Sequence, residues 1–283
     1  VRDEAHQETH MTDRYAVIGN PIAQSKSPLI HGMYAEVTGQ DIEYTKIEGP
    51  LGGFKAAVDA FRAAGGRGLN ITAPFKLDAF AYATEHSERA RLAGAVNAMK
   101  FEGDRVMAEN FDGVGLVRDV VHNLGCALAG KRVLVLGAGG ATRGALLPFL
   151  AEKPAALFIA NRTVAKAGEL AAAVAGQGAV GFGDYADLEG RQFDIVFNAT
   201  SASLRAELPP VPASVFASSE LAYELAYGKG LTPFLRLAQN AGVKQLADGV
   251  GMLAEQAAEA FEWWRGMRPD TRAVIEKLTV PLV

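Results

Sequence analysis

The stretch Gly137-Ala138-Gly139-Gly140-Ala141-Thr142-Arg143-Gly144 directly follows the apolar run Val133-Leu134-Val135-Leu136 and opens a helical segment, Ala145 to Leu150. Glycines between a buried strand and a helix let the backbone turn tightly and approach a pyrophosphate. The helix start adds free N–H groups and a partial positive charge. That is dinucleotide-binding chemistry. The plain GxGxxG pattern requires glycine at position 142, where this chain has threonine. A simple strand-to-helix turn therefore stays open as a reading of the glycines alone.

The next strand bears on which dinucleotide is bound. NAD sites place an Asp or Glu about 20 residues beyond the fingerprint to hold the ribose 2′-hydroxyl. Here the strand ends Ile159-Ala160-Asn161-Arg162-Thr163, with Lys166 one turn on. The guanidinium fork matches phosphate oxygens, whereas a carboxylate repels them, so NADP is favoured over NAD. Taken alone, Arg162 reads as a solvated surface charge; its place after the second strand favours the phosphate.

A second set of polar residues lies in the first third of the chain. In Ser25-Lys26-Ser27-Pro28, Ser27 reads as a helix N-cap and Pro28 as the first helical residue. The competing reading is that two hydroxyls beside a helix start bind a carboxylate. Asn70 and Thr72 are two apart and project to one side while their strand lasts. Lys76 follows just beyond Pro74, where a lone lysine is ordinarily a solvated charge. Asn110-Phe111-Asp112-Gly113 falls at the join of two segments. It reads as a turn, or as residues facing an interdomain cleft.

The elements that must hold these residues are α/β. Tyr15 to Ile18, Ile42 to Glu48 and Gly68 to Thr72 read as strands. Pro28 to Thr38 and Gly53 to Ala64 read as helices. That order predicts a mostly parallel sheet. After Asp112, strands are expected at Lys131–Leu136, Ala156–Ala160, Phe193–Phe197 and Leu221–Tyr227, with a helix at Val164–Val174. A last helix, about Met252 to Trp264, has an apolar face interrupted by Gln256.

Composition narrows the classes. The 283 residues are 49% hydrophobic and 21% charged, with net charge −4. Lys and Arg are scattered, without the basic stripe a duplex binder needs, so no nucleic-acid partner is expected. One cysteine, Cys126, and five histidines without metal spacing disfavour zinc chemistry. No apolar run approaches the ~18 residues of a membrane helix. Residues 1–10 are expected to be a disordered leader with Met11 as the start, and the location cytoplasmic.

Taken together, the motifs resemble the shikimate dehydrogenase family. They are Val17 to Pro28, Asn70 to Lys76, Gly94-Ala95-Val96-Asn97, Asp112-Gly113-Val114-Gly115, Gly137-Ala138-Gly139-Gly140, Asn161-Arg162-Thr163, Asn198-Ala199-Thr200-Ser201 and Asp248 to Leu253. The resemblance implies reduction of 3-dehydroshikimate to shikimate with NADPH. It implies a substrate-binding α/β domain (11–112), a Rossmann-type NADP domain (113–247) and C-terminal helices (248–283) returning to the first. It places Ser25, Ser27 and Tyr227 on the substrate carboxylate with Thr72 nearby. Asn70, Asn97, Asp112 and Gln256 would hold the ring hydroxyls, and Lys76 and Asp112 would form the catalytic pair. It adds Gly140, Ala141, Thr200, Gly249 and Met252 to the cofactor residues. The chemistry agrees: hydride transfer to a ketone leaves an oxyanion that needs a proton, and a lysine held by a carboxylate can donate it.

Three positions depart from the family pattern. Phe111 stands where the family usually has Thr, Ala98 where Thr is frequent, and Glu224 where Asp is usual. Phe111 is expected to remove a hydroxyl and add bulk beside Asp112. The alternatives are a relative acting on quinate or another cyclic hydroxy acid, or a non-catalytic NADP-binding regulator. A monomer or homodimer is expected.

Overall fold

The computed structural model describes residues 12–283. The expected leader, 1–10, and the start at Met11 lie outside the described residues.

The first layer is built from β1 (Asp13–Gly19), α1 (Ser27–Thr38), β2 (Ile42–Glu48), α2 (Phe54–Ala63), β3 (Gly66–Ile71), α3 (Lys76–Tyr82), β4 (Glu85–His86), α4 (Glu88–Ala93), β5 (Ala98–Glu102) and β6 (Arg105–Glu109). The six strands run in the order β2-β1-β3-β5-β6-β4. β1 pairs in parallel with β2 and β3, whereas β5 is antiparallel to β3 and β6. The sheet is therefore mixed, with β5 as the one reversed strand. The reversal comes from a hairpin at Gly103, whose φ of +60° suits glycine. β1, flanked by β2 and β3, is buried from Tyr15 to Ile18. α2 covers one face with Phe54, Val58 and Phe61, spaced four and three apart.

The second layer contains β7 (Arg132–Leu136), α6 (Gly140–Ala151), β8 (Ala156–Ala160), α7 (Val164–Ala173), β9 (Val180–Gly183), β10 (Ile195–Asn198), β11 (Leu221–Glu224), α8 (Pro233–Asn240) and β12 (Gln245–Asp248). Its order is β12-β11-β10-β7-β8-β9, and every pair is parallel. The chain winds outward from β7 in one direction and returns to leave through β10 in the other. This is the doubly wound topology whose switch point forms a crevice beyond the strand ends. Strand β11 stops at Glu224, short of the expected Tyr227, which lies in the following loop.

α5 (Asp112–Arg118) continues into a wider π turn, Asp119–Asn123. It lies between α6 and α9 (Val250–Arg265). A Cβ on Gly113 would lie 2.2 Å from Gly144 O, and one on Gly115 2.6 Å from the Gln256 nitrogen. Only glycine allows α5 this close to both neighbours. α9 and α10 (Arg272–Leu278) return to the first layer. Tyr34 Oη donates to Ala254 O (2.8 Å), Trp264 Nε1 donates to Met99 O (2.9 Å), and the Trp264 indole stacks on Tyr15 at 4.6 Å. No helix among the described residues is long and apolar enough to cross a membrane.

Candidate active site

A cavity of about 230 Å³ gathers residues from distant parts of the chain. β3 and its exit bring Asn70 and Thr72, and α3 begins at Lys76. Asn97 precedes β5, α5 begins at Asp112, and α9 carries Gln256. Ser25, Ser27 and Tyr227 come from loops and the first residue of α1. Each of these nine residues, expected on the substrate side, lines the cavity, with Ile22, Leu225, Met252 and Leu253 among its apolar walls.

Lys76 Nζ donates to Asp112 Oδ2 at 2.5 Å, and Asn97 Nδ2 donates to Oδ1 at 2.8 Å. Both carboxylate oxygens are thereby held. The Asn97 amide cannot turn over, because its Oδ1 accepts from Phe111 N (2.8 Å). The Asp112 N–H is tied to Asn110 Oδ1 (3.1 Å). The Lys76 side chain remains 35% exposed and Asp112 18%. A partly solvated pair of this kind adds little to stability and keeps its ammonium accessible to a ligand. Gln256 Oε1 closes the ring, accepting from Asn97 Nδ2 at 3.4 Å.

Tyr44, on β2, was not apparent from the sequence: its hydroxyl donates to Asn70 Oδ1 at 2.7 Å. His31 stacks on Tyr44 at 4.2 Å and is fully buried. Neither His31 ring nitrogen reaches a hydrogen-bond partner among the described residues. Burial pushes its pKa down to about 3, offset in part by the nearby Asn70 amide.

Two expectations need correction. Ser27 is not the N-cap of α1 but its first residue. The Ser25 hydroxyl accepts from the Ser27 N–H (3.3 Å), and Ser25 Oγ donates to Ser27 Oγ (3.2 Å). Lys26 holds the cap position, because Pro28 follows one residue further into the helix than the usual pairing. Phe111 does not crowd the pocket. It is 4% exposed, packs edge-on to Trp263 at 5.7 Å and lies under the Arg89 guanidinium. Residue 111 precedes the first turn of α5, and consecutive side chains there diverge. Phe111 therefore enters the core while Asp112 enters the cavity.

A second groove, about 510 Å³, opens at the ends of β7, β8 and β10. Gly137, Ala138, Gly139, Asn161, Arg162, Thr163, Lys166 and Thr200 line it as expected. Tyr185, Arg205 and Glu207, which belong to no motif in the sequence, line it as well. Gly137 has φ +102°, which disfavours other residues, and a Cβ on Gly139 or Gly140 would project into open space. Thr142, at the third-glycine position, is buried and its hydroxyl donates to Gly137 O (2.7 Å). Asn161 Oδ1 accepts from Ala138 N (3.2 Å). The loop is thus held open, with room for an anion at the start of α6. Arg162 and Lys166 are exposed and, among the described residues, form no salt bridge. This donor set fits a phosphorylated dinucleotide.

Gly140 and Ala141 open α6 without lining the groove, and Gly249 and Met252 line the Lys76 cavity. Leu225, on the wall of that cavity, donates its N–H to Asn198 O (3.0 Å), two residues before Thr200 in the groove. The two spaces therefore abut across the ends of β10 and β11.

Fold and site define the class: a two-layer α/β oxidoreductase that takes a nicotinamide dinucleotide at one sheet and a small polar substrate at the other. Family models for the shikimate dehydrogenase substrate binding domain, shikimate/quinate 5-dehydrogenase and the shikimate 5′-dehydrogenase C-terminal domain match residues 17–99, 119–206 and 249–279. The chain belongs to the shikimate dehydrogenase family. It is 58% identical to shikimate dehydrogenase (NADP(+)) of Chromobacterium violaceum, covering 95% of this chain and 98% of that protein. It is 55% identical to the enzyme of the same name from Nitrosospira multiformis, with the same coverage. Among solved structures, an Ael1 enzyme from Pseudomonas putida is 62% identical with TM-score 0.94, covering 96% of this chain and all of that one. Shikimate 5-dehydrogenase from Thermus thermophilus, in complex with NADP(H) and shikimate, is 31% identical with TM-score 0.83 over 93% of this chain and 97% of that one.

Proposed function

We propose that this protein interconverts shikimate and 3-dehydroshikimate as an NADP-dependent shikimate dehydrogenase. The observation that carries the reading is the Lys76–Asp112 pair, held by Asn97 inside a polar cavity that abuts a dinucleotide groove. When bound in the groove, NADPH supplies the hydride. Lys76 donates a proton to the substrate oxygen as it gains negative charge, and in the reverse direction accepts that proton from the hydroxyl. Asp112 keeps the lysine aimed and takes a share of its charge. Asn70, Asn97 and Gln256 receive the ring hydroxyls, and Ser25, Ser27 and Tyr227 receive the carboxylate.

The glycine loop takes the pyrophosphate, while Arg162 and Lys166 take the 2′-phosphate. Residues 11–112 then form the substrate-binding unit, 113–247 the cofactor unit and 248–283 the returning helices. Steady-state rates on shikimate with NADP and with NAD test the reading. Turnover with NADP in large excess over NAD is expected. No turnover on shikimate with either cofactor would overturn it.

A further inference from the structure

Glu224, at the end of β11, is fully buried, and no cation faces it among the described residues. Four neutral donors surround its carboxylate. Asn198 Nδ2 (2.9 Å), Thr232 Oγ1 (3.2 Å) and Ser203 Oγ reach Oε2, and Ala226 N (3.3 Å) reaches Oε1. They come from β10, the start of α8, the turn after β10 and the loop after β11. Burial raises the carboxyl pKa against the pull of these hydrogen bonds. An apolar side chain could fill this volume without the desolvation cost, so the carboxylate calls for another explanation.

That explanation lies in Asn198, which is also fully buried. A carboxylate only accepts, so Asn198 must turn its NH₂ toward Glu224 and its carbonyl the other way. The carbonyl accepts from Thr200 N (3.1 Å) and Thr200 Oγ1 (2.7 Å). Thr200 lines the dinucleotide groove. Its hydroxyl hydrogen is committed to Asn198 and one lone pair accepts from Ala202 N (3.3 Å), so toward the groove it has one lone pair to offer. The cofactor group it suits is a hydrogen-bond donor, a ribose hydroxyl or a carboxamide NH₂, and not a phosphate.

We propose that Glu224 is a positioning residue for NADP(H), acting through the Asn198 amide to set the polarity and place of the Thr200 hydroxyl. The inference rests on reading the groove as the NADP site. The test is a double-mutant cycle on NADPH affinity, read by fluorescence titration of the full chain, with shikimate KM measured alongside.

Glu224→Gln and Thr200→Val are each expected to weaken NADPH binding about tenfold, with shikimate KM within about twofold of wild type. The double variant is expected within about threefold of the weaker single, because both act through one link. A double variant about a hundredfold weaker would overturn the proposal, as would Glu224→Gln binding like wild type. A general loosening of the fold would move shikimate KM as well, and that too counts against it. If Glu224→Gln does not fold, Glu224→Met, of similar length and without the carboxylate that fixes the Asn198 amide, enters the same cycle with the same expected and overturning outcomes. Wild type failing to bind NADPH would overturn the groove reading itself; wild-type binding left undiminished in the variant would overturn only this inference.

Discussion

The Phe111 ring stands edge-on to Trp263, centroids 5.7 Å apart, while its neighbour Asp112 reaches into the polar cavity. Phe111→Thr should therefore cost stability and leave catalysis nearly unchanged. Removing a buried aromatic ring costs about 3–5 kcal/mol, and threonine refills part of the space. We expect a loss of about 3 kcal/mol by urea denaturation and kcat/KM for shikimate within about twofold of wild type. A severalfold gain in kcat/KM would mean that the ring restricts the pocket after all.

Lys76→Ala should lower kcat by 10²–10⁴, on the order usual for general acid–base groups. NADPH affinity should be preserved, since Lys76 lines the other cavity. Wild-type kcat in this variant would remove Lys76 from the proton step.

Arg162→Leu should separate the two cofactors. A hydrogen bond to a charged group contributes about 1.5–3 kcal/mol, roughly ten- to a hundredfold in affinity. That loss should fall on NADP while NAD affinity changes by less than about threefold. Equal losses for both would assign Arg162 to a part of the cofactor that they share.

His31 should make the protein acid-sensitive. Its folded pKa of about 3 lies below its ordinary 6.5 because burial disfavours the cation. Between those values the unfolded chain binds a proton that the folded one refuses, so stability falls as pH drops from about 6.5 towards 3. The full effect is roughly 4–5 kcal/mol at one pKa unit per 1.36 kcal/mol. His31→Phe should flatten this slope in urea titrations at several pH values. An unchanged slope would place the acid sensitivity elsewhere.

Much of this molecule was legible because its signals are local. Buried β7 follows from an unbroken apolar run, and α9 from apolar residues at spacings of three and four. The glycine loop and the place of Arg162 beside it are readable because strand, turn and helix follow one another without a break. What escaped depended on partners distant in sequence. Glu224 and Asn198 are 26 residues apart and meet only because β10 and β11 are paired. Tyr44 looks like any residue of an alternating strand until β2 is set beside the His31 face of α1. The β5–β6 hairpin does alternate over Met99–Glu102 before Gly103-Asp104, but its strands are only five residues each. The side chain of Phe111 leaves the backbone away from that of Asp112, a direction that sequence adjacency does not reveal.

Helix α5 has consequences beyond the residues it presents. Seven residues long, it is wedged where a single methyl on Gly113 or Gly115 would collide with α6 or α9. A bar gripped so closely on both sides transmits displacement instead of absorbing it. Gly144 and Ala145 of α6 lie directly against Gly113, and the next residue back is Asp112. The start of α6, beside the nucleotide groove, and the carboxylate that aims the Lys76 ammonium are thus joined by one closely packed helix with no slack at Gly113 or Gly115.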